Sequence, residues 1–224
     1  MRPRLAQKPD PIAAASSVRE RASEFRLIAG KVLPLVPRGA RGLTARDGER
    51  GDLLPYGLGR TVDGEPVAAR VDVEEHGGRF ERPELERIER GRDFYVTDGT
   101  GHALVRLSEP AARSGRLHND VELHLDVPFR PVELAATAAR RARTAFVRVL
   151  RAGDIVYLWG AARIELDDSG LTAEIGGYRE APRIAVFSGD HGPLHLYDEI
   201  AFRQLSAWQA LPWYRKLSVL VRNR

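Results

Sequence analysis

The chain has 224 residues, 43% of them hydrophobic and 29% charged, enough to bury a core and too apolar for disorder along most of its length. It contains no cysteine, which excludes disulfides, thiol nucleophiles and thiolate zinc sites. No uncharged stretch approaches the roughly 18–20 apolar residues of a membrane span, and the Ile12–Ala15 run is too short for a signal peptide, so a cytoplasmic protein, peripheral at most on an inner membrane, is expected.

The net charge of +4 is unevenly spread. Residues 1–41 carry nine basic and three acidic side chains, residues 42–200 carry 21 and 28, and residues 201–224 carry five and none. Basic ends on an acidic middle suggest that the ends contact anions. Lipid headgroups, nucleic acid or the protein's own acidic surface all fit. Only Lys8, Lys31 and Lys216 are lysines, a bias that GC-rich bacterial coding explains better than function.

Residues 1–15 hold three prolines and read as disordered. After them, Val18, Ala22, Phe25 and Ile28 follow helical spacing with Ser16 or Ser17 as N-cap. The run from Phe25 to Leu35 fits a first strand equally well, and both readings stay open. Residues 37–60 are dense in Gly, Pro and Arg and read as a long loop. Pro66–Glu75 alternates, with Val67, Ala69, Val71 and Val73 on one face of a strand. Asp93–Val96, the turn Asp98-Gly99-Thr100-Gly101 and Ala103–Leu107 form a hairpin pattern. A further strand is expected over Val121–Val127.

Pro131–Arg151 has the composition of a helix, with Leu134, Ala138, Ala145 and Val149 as its apolar stripe and Arg140, Arg141, Arg143 and Arg148 elsewhere. Gly153-Asp154 then opens a β-prone run, Ile155–Ile164. Asp167–Gly170 turns into Leu171–Ile175, and Ile184–Phe187 is a short closing strand. Asp198 is expected to cap a helix from Glu199 to about Leu211, which Pro212 interrupts. The expected fold is mainly β (α+β), an OB-like small β-barrel with one inserted helix and a C-terminal helix. Residues 1–26 would be a basic arm, 27–200 the barrel and 201–224 a basic aromatic helix.

Two stretches carry a family resemblance. The first is Asp93-Phe94-Tyr95-Val96-Thr97-Asp98-Gly99-Thr100-Gly101 with Ala103-Leu104-Val105. The second is Leu150-Arg151-Ala152-Gly153-Asp154-Ile155-Val156-Tyr157-Leu158-Trp159-Gly160-Ala161-Ala162. Their order, followed by a segment rich in Trp and Arg, resembles the GIDE domain, also called the beside-a-membrane domain, over roughly Leu27 to Arg224. The resemblance implies an OB-like fold and a regulatory or recognition role near a membrane. The family's ligase activity belongs to an appended RING domain, which a cysteine-free chain cannot carry, and its usual transmembrane helices have no counterpart here. The family has no catalytic residues to carry over, and Asp98, Gly99 and Gly101 read as turn formers.

Among candidate sites, Trp208, Trp213, Tyr214, Arg215 and Lys216 have the composition of an interfacial anchor, aromatic rings beside cations, for an anionic membrane or a membrane-bound protein. Arg140, Arg141, Arg143 and Arg148 are the candidate nucleic-acid or anion contacts. His191 and His195 have the i,i+4 spacing of zinc ligands, but Gly189, Gly192 and Pro193 make a loop of that stretch. His118 and His124 could join them only if the fold brought them close, so no metal and no cofactor is expected. Ser188-Gly189-Asp190-His191 holds the residue types of a triad, but sequence neighbours seldom converge. Glu74-Glu75, Asp167-Asp168 and Asp198-Glu199 are adjacent carboxylates that point apart rather than across a cleft. The function expected is a non-catalytic binding or sensing module at a membrane surface or on a membrane-bound partner, with a bacterial stress or conflict response as a fitting setting. A single-stranded nucleic-acid-binding protein and a structural subunit of a larger assembly are the alternatives, and no small-molecule substrate is indicated.

Overall fold

The computed structural model describes residues 8–15, 24–33, 60–61, 67–76, 84–107, 117–126, 132–133, 143–166 and 183–210. Among these the protein is mainly β. Five strands close a barrel: β1 (Glu24–Leu33), β5 (Phe94–Thr97), β6 (His102–Arg106), β11 (Arg183–Ser188) and β10 (Ile155–Leu166), with β10 returning to β1. The parallel β6–β11 pair is the exception in an otherwise antiparallel ring. Closure removes the open edges that invite pairing with other chains.

Strand β10 is long enough to serve three neighbours. One edge pairs with β1 from Ile155 to Ala162. The other pairs with β11 from Ala162 onward and with β12 (Leu194–Asp198) from Val156 to Trp159. Gly160 sits at the changeover, where an added Cβ would lie 2.9 Å from Leu194 Cδ1. Its missing side chain lets β12 come in beside β10. Beyond β12, the parallel strand β7 (Val121–His124) extends the sheet.

The core is built by alternation. Ile28, Val156, Leu158, Leu194, Leu196, Val121 and Leu123 point inward to join Phe94, Phe187, Val96 and Val105. A second sheet, β4 (Glu84–Gly91), β3 (Val67–His76) and β9 (Arg143–Arg151), shares that core through Ala68, Ala69, Val71 and Leu150. Strands β2 (Arg60–Thr61) and β8 (Val132–Glu133) pair with each other. Among the described residues the α-helices are α1 (Ile12–Ala15) and α2 (Glu199–Ala210).

Several expectations hold. Strands β3, β5, β6, β7, β10 and β11 lie where strands are expected, and α2 follows its cap, Asp198 Oδ1, which accepts from the Ala201 N–H at 2.7 Å. The open choice at residue 25 resolves as strand. The Asp98 turn is a turn, with Gly99 at a φ of 86° that favours glycine. It also docks the N-terminal segment, because Asp98 Oδ2 accepts from the Ile12 N–H at 3.0 Å and Ile12 is fully buried. Burial opposes ionisation of Asp98, but the Thr100 hydroxyl and the N–H groups of Ile12, Thr100 and Gly101 together hold it below the usual carboxylate range.

Two expectations are corrected. The helix over Pro131–Arg151 gives way to strand from Arg143 to Arg151. Thr144, Phe146, Val147 and Val149 favour a pleated surface, and β3 offers a partner along that length. Residues 8–15 were expected to be disordered, yet Ile12 and Ala15 plug the core. The turn at 167–170, the run 171–175 and the break at Pro212 lie outside the described residues.

Candidate functional site

The outer face of the sheet differs in kind from the inner one. On β10, β12 and β7, the residues between the inward aliphatics are Tyr157, Trp159, His195, Tyr197, Glu122 and His124. Their rings form a continuous row. Phe25 contacts Trp159 with centroids 4.9 Å apart, Trp159 contacts His195 at 5.3 Å, and His124 stacks on Tyr197 at 4.5 Å with 9° between planes. Stacked and tilted rings at these separations hold one another in place.

Helix α2 covers one end of this face. Phe202 stacks on Tyr157 at 3.8 Å, and Phe202 and Leu205 pack on Leu27 and Trp159. The start of α2 is fixed by Asp198, which is 1% exposed and accepts from the N–H groups of Ala201 and Asp126. Between α2 and the β7–β12 edge runs a cleft of about 370 Å³, lined by Glu122, His124, Asp126, His195, Tyr197 and residues of α2.

Three polar atoms converge in the cleft. Glu122 Oε2 lies 3.1 Å from His195 Nδ1 and 3.4 Å from His124 Nε2, and the two ring nitrogens are 3.5 Å apart. Burial first, and then the His195 imidazole, hold His124 below the ordinary histidine range against the opposing pull of Glu122 and Glu89. The lowering favours the uncharged form of the His124 ring at neutral pH.

No protein-family model, curated protein or solved structure matches this chain. The cleft therefore has to be read from its own chemistry.

The expected site residues are scattered. Trp208 lines the cleft from α2. Trp213, Tyr214, Arg215 and Lys216 lie outside the described residues, as do Arg140 and Arg141. Arg143 and Arg148 stand on β9, not on a helix, which undoes the expected basic helix face. Arg148 is engaged by Asp126 and by the Leu125 carbonyl, 2.6 Å away, so it ties β9 to β7.

The histidines regroup. His195 meets His124, while His191, with a side chain only 6% exposed, faces Glu165 at 3.9 Å, and His118 pairs with Asp190 at 2.8 Å. The i,i+4 pair is split and a different pair is made. Ser188 donates to Asp190 at 3.1 Å and Asp190 also holds His118. A triad needs the histidine between the serine and the acid. Here the acid lies between them, and the serine caps the 3-10 turn Gly189–His191, its Oγ accepting from the Asp190 N–H at 3.2 Å.

Burial, followed by the charge of Arg163, also holds His191 below the ordinary range. A histidine whose folded pKa lies below its unfolded value of about 6.5 leaves stability intact above that value. Stability is lost as pH falls from there through the folded pKa. His191→Gln is therefore expected to make the thermal midpoint fall less steeply between pH 7 and pH 5 than in the parent. Equal slopes in a calorimetric pH series would contradict this.

Glu122, Tyr197 and Trp159 escaped the sequence reading. Val121-Glu122-Leu123-His124 and Leu194-His195-Leu196-Tyr197 carry the same alternation, aliphatic in and polar or aromatic out. That shared pattern was the available signal.

Proposed function

We propose that this chain is a binding module whose site is the cleft between α2 and the β7–β12 edge, brought to an anionic surface by its basic C-terminal residues. The placement of α2 carries the reading. The helix is held on the barrel by Asp198, Phe202 and Leu205 and carries Trp208 to the cleft. The next residues in sequence include Trp213, Tyr214, Arg215 and Lys216, and residues 201–224 contain no acid. Aromatic and cationic residues together suit an anionic lipid interface. Among the described residues no helix is long and apolar enough to cross a membrane. The resemblance to the GIDE domain points the same way, toward recognition near a membrane.

The row of rings favours a second reading, stacking of single-stranded nucleic acid. Against it, Trp159 and Tyr197 are 8% and 5% exposed, so their faces are already covered. Glu122 and Asp126 also place carboxylates where phosphates would lie.

Co-sedimentation with anionic and neutral vesicles tests the proposal. The full chain is expected to bind anionic vesicles in a salt-sensitive manner, and a chain ending at Ala210, which keeps α2, to lose most of that binding. Equal binding by both chains, or by neither, would contradict the assignment. Salt-sensitive binding of a labelled oligothymidine in place of vesicles would favour the second reading.

A further inference from the structure

We propose that Glu122, His124 and His195 form a binding site for a divalent transition-metal ion of the zinc type, with the remaining coordination position open to the cleft. This goes beyond the surface-binding reading and does not depend on it.

The first support is geometric. The three converging atoms form a triangle with edges of 3.1, 3.4 and 3.5 Å. A tetrahedral site with bonds of about 2.0–2.1 Å has edges of about 3.3–3.4 Å between ligands. An octahedral site with bonds of about 2.1 Å has edges near 3.0 Å, shorter than all three. The edges of 3.4 and 3.5 Å are those of a zinc tetrahedron, and the 3.1 Å edge, which runs to the exposed Glu122 carboxylate, needs only a small outward adjustment.

The second support is the donor set. Two imidazole nitrogens and one carboxylate suit zinc and its neighbours in the first transition row, whereas magnesium and calcium take oxygen donors. Three protein ligands with a fourth position left open is the form of zinc sites that take a water or an exchangeable ligand, rather than closed structural sites.

The third support is the mounting. His124 and His195 stand on adjacent hydrogen-bonded strands, with Glu122 directly across from His195 in the register. Tyr197 stacks on His124 and Trp159 lies against His195, so two ligands are oriented by neighbouring rings. The Glu122 side chain is 62% exposed and free to adjust its bite. Fixed strand positions supply the rigid scaffold a loop pair of histidines lacks.

A carboxylate accepting two imidazole N–H groups would use the same three residues without a metal. Titration of the metal-stripped full chain separates the two. Zn²⁺ is followed by calorimetry, and Co²⁺ by the visible band that tetrahedral cobalt shows and octahedral cobalt lacks. One equivalent is expected to bind, with the tetrahedral cobalt spectrum. His124→Gln and Glu122→Gln are each expected to weaken binding by about 10- to 100-fold or more, since even partners behind a ligand cost that much. His191→Gln, whose ring faces Glu165 instead, is expected to bind as the parent does. Circular dichroism confirms that each variant is folded. Absence of saturable binding at one equivalent would overturn the site, as would affinity unchanged in both ligand variants. Loss in His191→Gln equal to that in His124→Gln would do the same.

Discussion

Phe187→Ala is expected to lower the free energy of unfolding by about 3–5 kcal/mol. Phe187 is fully buried on β11, opposite Ala162 of β10 and Val105 of β6. Strand β11 is the link that closes the ring between β6 and β10. Truncation leaves a void beside Ala162, its register partner, and Ala185, two residues before it on β11, side chains too short to collapse into it. A domain is stable by about 5–15 kcal/mol in total, so the loss would be a large share. Urea denaturation with a constant slope would measure it. Phe25→Ala, at a ring 48% exposed, removes far less burial and serves as the comparison. A loss below about 1 kcal/mol for Phe187→Ala would mean that the barrel does not close around this ring.

Asp198→Ala is expected to cost about 2–4 kcal/mol and to loosen α2. The carboxylate caps the helix through Ala201 and holds the Asp126 N–H with its other oxygen. Loss of a cap costs about 0.5–2 kcal/mol, and an unsatisfied buried N–H about 1–3 kcal/mol. Because α2 forms a wall of the cleft, the damage should reach Trp208. Its fluorescence is expected to shift to the red and become more accessible to a soluble quencher before global unfolding. Asp198→Asn keeps one acceptor oxygen and is expected to lose less. An unchanged Trp208 signal in Asp198→Ala would show that Phe202 and Leu205 alone hold the helix.

What the residue order reveals depends on how one-sided each element is. Val67–Val71, Phe94–Thr97, Ala103–Leu107 and Ile155–Ile164 carry enough apolar residues to mark a strand, and Asp198 before Glu199 marks a helix start. Strand β4 carries charges at Arg87, Glu89 and Arg90, on both sides of the pleat, so periodicity is silent. Its pairing with β3 sets it. Arg143–Arg151 shows the opposite failure. Arginine and alanine are good helix formers, and their propensity is overridden by the tertiary partner.

The cleft was half visible. Each of His124 and His195 stood out, but their meeting depends on the parallel pairing of β7 with β12, two strands nearly 70 residues apart in sequence with a connection that no local pattern describes. The glycines and proline at 189–193 drew attention to a loop, and the strand begins immediately after them at Leu194. Local chemistry named the ligands' types, and topology chose which of them meet.

The most direct test of the cleft as the binding site is histidine-ring NMR of the full chain during a Zn²⁺ titration. Six histidines are available to report. The signals of His124 and His195 are expected to move together and saturate at one equivalent, while those of His102, His118 and His191 stay in place. Shifts spread over all the rings, or confined to His118 and His191, would contradict the assignment of the cleft.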